Sequence, residues 1–107
     1  REEVKAVKNL SEFYTPRDRI RLSIADFRDG QGIDVEVHNY RVREGNFGTY
    51  YEVDLKDAVT GEDYVLVTGS RGVAEALEAL DVAIAENNVE LPVKARLERR
   101  GRGWVLR

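Results

Sequence analysis

Residues 33–68 read IDVEVHNYRVREGNFGTYYEVDLKDAVTGEDYVLVT, and the reading of this stretch decides the fold. Ile33, Val35 and Val37 alternate with Asp34, Glu36 and His38, the period of a strand with one face in a core and the other in water. Tyr40 and Val42 then fall on the opposite parity from Val35 and Val37. A bulge or sharp bend near His38-Asn39 returns the apolar side chains to the inside and bends the strand. Glu44-Gly45-Asn46-Phe47-Gly48 is a turn with two glycines. Tyr51, Val53 and Leu55 alternate with Tyr50, Glu52 and Asp54 in a second strand. Asp57 to Asp63 forms a hairpin loop around Thr60-Gly61, and Tyr64 to Thr68 is a third strand.

Further along the chain, Ser70 is a candidate N-cap. Val73, Leu77, Leu80 and Ile84 follow at helical spacing, with Glu75, Glu78, Asp81 and Glu86 on the wet side and Asn87-Asn88 at the end. Val93, Ala95 and Leu97 alternate with Lys94, Arg96 and Glu98 in a fourth strand. Arg99 to Gly103 is a turn, and Trp104 to Arg107 a short fifth strand. Toward the N-terminus, Val4, Val7 and Leu10 lie on one face of a short helix over residues 2–10, which Thr15-Pro16 ends. Ile20, Leu22 and Ile24 alternate as a strand would, but Ser23 with Asp26 also reads as a capping box, and a short helical turn stopped by Gly30 is the favoured reading.

Three consecutive hairpin-linked strands argue against a parallel doubly wound sheet. Five strands with a long, bent first member can close into a small barrel, with the helix plugging one end. The alternative is an open antiparallel sheet with one helix packed on it. The expectation is therefore an all-β fold with one helix between strands 3 and 4. Residues 1–32 form an N-terminal extension with a short helix, and residues 33–107 form the barrel.

The 107 residues are 42% hydrophobic and 35% charged, enough for one modest core and too apolar for a disordered chain. With no cysteine there is no disulfide or thiolate metal site, and a single histidine, His38, leaves little for a histidine-based zinc site or a catalytic triad. The absence of an apolar leader or long apolar run predicts a protein off the membrane, in the cytoplasm. Net charge is -3, but residues 91–107 carry six basic groups against one acidic, a local basic stripe on an acidic body.

Tyr40 to Ser70 resembles the single-stranded-DNA-binding OB-fold proteins of phages, plasmids and some prokaryotes. The shared features are a basic, bulged first strand, an aromatic-glycine turn, an alternating second strand, a Thr-Gly hairpin and a third strand ending in Thr-Gly-Ser. The resemblance implies a five-stranded Greek-key barrel, a role in replication, recombination or repair, and association with the nucleoid.

Single strands are held by local positive charge on phosphates and by aromatic faces on bases. Arg41 and Arg43 share the outer face at the end of the first strand, and Lys94 and Arg96 that of the fourth. Arg99, Arg100 and Arg102 crowd the last turn. Phe47, Tyr50 and Trp104 are the candidate base platforms, although Trp104 shares its parity with Leu106 and also fits the core. The expected partner is single-stranded DNA, with RNA as the alternative. An interaction subunit of a nucleic-acid-processing complex is the rival role, and a homo-oligomer or a replication-complex protein is the further partner considered. Asp54, Asp57, Glu62 and Asp63 gather near a hairpin tip without calcium-loop spacing. Thr68-Gly69-Ser70 lacks the length and lysine of a nucleotide loop. No enzyme, cofactor, metal ligand or catalytic residue is assigned.

Overall fold

A computed structural model describes residues 19–107. Strand β1 (Ile20–Arg21) and a 3-10 turn (Ile24–Asp26) precede β2 (Gly32–Gly45), β3 (Gly48–Asp57) and β4 (Asp63–Thr68). Helix α1 (Arg71–Ala85), β5 (Val93–Arg100) and β6 (Gly103–Leu106) complete the chain. The strands form one mixed sheet in the order β1-β4-β3-β2-β5-β6, in which β1 runs parallel to β4 and every other pair is antiparallel. The helix expected over residues 2–10 lies outside the described residues.

The change of parity along β2 is a register shift. Val37 stands opposite Leu55 and Asn39 opposite Asp54, so His38 is the extra residue. Beyond it Tyr40 faces Val53 and Val42 faces Tyr51, while Arg41 and Arg43 turn outward opposite Glu52 and Tyr50. One residue re-phases the strand because side chains alternate with a period of two. β3 needs no such correction: Tyr51, Val53, Leu55 and Asp57 are all buried, with half-buried residues between them.

Val73 and Leu77 of α1 are fully buried against the sheet, in a core with Val35, Val53, Leu66 and Leu97. Each such side chain is worth about 1.5–3 kcal/mol relative to exposure. Gly72 makes the seating possible, since a Cβ there would lie 2.8 Å from the carbonyl oxygen of Trp104. Ser70 occupies the N-cap position, but its hydroxyl does not cap the helix. It accepts the Trp104 backbone N–H at 2.9 Å and the Thr68 hydroxyl at 2.8 Å, tying the helix start to β6 and β4. Tyr40 donates its hydroxyl to Asp81 at 2.7 Å, joining the far half of α1 to β2 just past the bulge.

The expected β fold with one helix is present as an open, mixed six-stranded sheet. Among the described residues β1 and β6 are the two edges, and no strand pairing joins them. The free edge of β4 is taken by β1, and the Leu22 N–H extends that pairing to the Val65 carbonyl at 3.0 Å. Residues 20–27 thus combine both readings of their sequence, a strand followed by a turn in which Ser23 accepts the Ala25 N–H. They also place Leu22 and Phe27 in the core. No described helix is long and apolar enough to cross a membrane.

Candidate nucleic-acid interface

β2 and β3 continue beyond the core as a two-stranded arm, in which residues 42–49 are all exposed. The arm turns through Asn46-Phe47 between paired Gly45 and Gly48. Gly48 takes φ +113°, which the chain needs to double back and which side-chain-bearing residues avoid. Phe47 at the tip is fully exposed (105%), a large ring with no burial to account for it. Tyr50 is half-buried and lies over Gly45, where a Cβ would come within 3.0 Å of its ring. Phe47, Tyr50, Gly45 and Gly69 line one open depression of about 360 Å³. Gly69 also borders a second, of about 540 Å³, with Arg21, Ser23, Thr68 and Arg102.

The outer arginines of β2 stand in a cross-strand ion-pair ladder. Arg41 donates to Glu52 at 3.2 Å and to both oxygens of Asp54, and Arg43 donates to Glu52 at 3.0 Å. Arg19 joins Asp54 from the chain before β1. Hydrogen bonds from Arg43 and Arg41 hold the Glu52 carboxyl below its ordinary range, and the bond to Asp54 raises Arg41. A second group forms on β5 and β6. Arg100 and Arg107 each approach Glu98 at 3.0 Å, while Arg96 lies 3.0 Å from Asp34 and 3.6 Å from Glu98. The Arg100 and Arg107 hydrogen bonds lower the Glu98 carboxyl. Each group sets three guanidinium groups against two carboxylates. Lys94 is exposed beside the second group and has no ion-pair partner among the described residues; it borders a depression of about 560 Å³ with Arg96 and Arg107.

Two of the expected contact residues are structural. Trp104 is 5% exposed and packs against Phe27, so it cannot stack a base. Arg99 shares the inward parity of Leu97, and its guanidinium donates to the carbonyls of Ile24, Phe27 and Gly101. It therefore straps the 3-10 turn across the open side of the sheet. Arg102, by contrast, is exposed and has no hydrogen-bond or ion-pair partner among the described residues. His38 sits at the bulge, 3.1 Å from Glu36.

The loop carboxylates have a local role. Asp57 accepts the N–H groups of Val59 and Thr60 at 2.7 and 3.0 Å and so shapes the β3–β4 turn. Arg21, which borders the second depression, is not singled out by the sequence, because its segment favours a short helical turn over the strand it forms. The signal was present: it is a basic side chain flanked by the alternating Ile20 and Leu22.

No family model matches the chain, and no curated protein or solved structure matches it.

Proposed function

We propose that this domain binds single-stranded DNA with little sequence preference, as an OB-type fold in which β1 takes the free edge of β4. The strand order β4-β3-β2-β5-β6, the bulge in β2 and the helix between β4 and β5 support that reading of the fold. The observation that carries the function is the exposed Phe47 at the end of a projecting arm, with the half-buried Tyr50 behind it. Flat rings stack on any base, which gives affinity without sequence readout. The two arginine groups, each with one guanidinium in excess of its carboxylates, supply local attraction for phosphates on an otherwise acidic molecule. Binding is non-covalent.

Titration of a labelled oligo-dT in rising salt tests this. Affinity should fall with salt. Phe47→Ala should weaken binding by about 1–3 kcal/mol per base it stacks, with the melting temperature unchanged. No binding at low salt would refute the reading and favour a protein partner. Tighter binding of oligo-U than of oligo-dT would assign the face to RNA.

A further inference from the structure

We infer that Arg21 and Arg102 form the phosphate seat of this domain, holding the backbone of a strand whose neighbouring base lies on Phe47 and Tyr50. The inference rests on the single-strand reading above and assigns its main ionic contact to a pair of residues outside the arginine ladders.

The described arginines fall into two sets. Those at 19, 41, 43, 71, 96, 100 and 107 have carboxylate partners, and Arg99 donates to backbone carbonyls. A phosphate reaching one of the first set must displace a carboxylate already in place, which reduces the net gain. Arg21, Arg28 and Arg102 have no side-chain hydrogen bond or ion pair among the described residues. Arg21 and Arg102 line the same depression, brought together from β1 and from the β5–β6 turn, 81 positions apart in the chain (102 - 21). Two like charges bordering one open hollow repel, and a bound anion relieves that repulsion. The guanidinium fork also matches phosphate oxygens in a bidentate geometry.

Position selects the kind of anion. Gly69 borders both this hollow and the one lined by Phe47 and Tyr50, so the two meet at that residue. A strand with a base on the rings reaches the two arginines if its backbone crosses Gly69. Arg28 is equally unpartnered but does not line the hollow, and it serves as a control of the same charge.

The test uses two labelled strands of equal length, oligo-dT and an abasic deoxyribose-phosphate oligomer, titrated against the full chain at several salt concentrations. The Arg21→Ala/Arg102→Ala variant should bind both strands more weakly. Its salt slope should be shallower by about 1.4, at about 0.7 for each single-strand phosphate that the variant no longer neutralises. Arg21→Lys/Arg102→Lys, which keeps the charges, should retain the wild-type slope. Phe47→Ala should weaken oligo-dT binding and leave the abasic strand unaffected, and Arg28→Ala should leave both slopes in place. An unchanged slope in the double alanine variant, with the wild type still binding oligo-dT, would overturn the seat and leave the single-strand reading standing. Failure of the wild type to bind either strand would overturn both.

Discussion

Phe27 meets Trp104 edge to face, with ring centroids 5.1 Å apart and ring planes at 84°. The pair spans the open side of the sheet, because Phe27 follows the 3-10 turn after β1 whereas Trp104 belongs to β6 at the opposite edge. Where strand pairing fails to join the edges, aromatic packing does. Such pairs add about 0.5–1.5 kcal/mol beyond the area they bury.

Phe27→Ala should therefore lower stability by about 3–5 kcal/mol, the usual range for emptying a core aromatic position. A urea titration followed by tryptophan emission measures it directly, since the indole next to the cavity is the reporter. A loss under about 1 kcal/mol, well below that range, would show that residues 20–27 are dispensable to the core.

Arg99 and Arg100 are adjacent but perform different tasks. Removing the Arg99 side chain orphans the carbonyls of Ile24 and Phe27, and Arg99→Ala should cost about 1.5–3 kcal/mol, the range for bonds to a charged group. Arg100→Ala removes an exposed ion pair with Glu98 and should leave the melting temperature nearly unchanged. Equal losses in the two variants would contradict the strap.

Acid should weaken the fold through Glu52. Its folded-state pKa is depressed, so its contribution is complete above the unfolded carboxylate value of about 4.3 and disappears as pH falls through the folded value. Urea midpoints measured from about pH 6 to about pH 3, a window that brackets that value, should drop less steeply in Glu52→Gln than in the wild type. Parallel curves would mean that the Arg41–Arg43 ladder does not contribute to stability.

At the alkaline end Tyr40 is decisive. Burial, and then the hydrogen bond and charge of Asp81, push its hydroxyl up to about 12 from the ordinary 10.0. The raised value favours the fold below about pH 10, and that support is lost as pH climbs from 10 to about 12. Ultraviolet phenolate titration should show late-ionising tyrosine in two parts, Tyr40 and Tyr64, the latter also raised by burial and by its hydrogen bond to Glu62, and only the Tyr40 part should vanish in Tyr40→Phe. A late amplitude that is undiminished in the variant would show that Tyr40 does not contribute to it.

Much of this architecture was legible in the order of residues. The alternation of Val53 and Leu55 defined β3, and the parity conflict between Val37 and Tyr40 located the bulge to within a residue. The spacing of Val73 and Leu77 placed α1. These are local periodicities, and a core on one side imposes them whatever the rest of the chain does. The site was legible only in part. Phe47 between two glycines stood out, and the parity of Trp104 with Leu106 already fitted the core, whereas the local density of arginine drew Arg99 toward the surface reading. Tyr40 and Asp81 could not be paired from sequence, since the hydrogen bond joins residues 41 positions apart.

Sequence alone determined which residues of β2, β3 and α1 face a core, because burial leaves its period in neighbouring positions. Tertiary structure alone decided which charges remain unpartnered. Arg41 and Arg102 are the same side chain, and only the opposing strand gives the first its carboxylates and leaves the second beside Arg21. Coulombic pairing acts through space over a few ångströms, and the chain order holds no record of distances that folding creates.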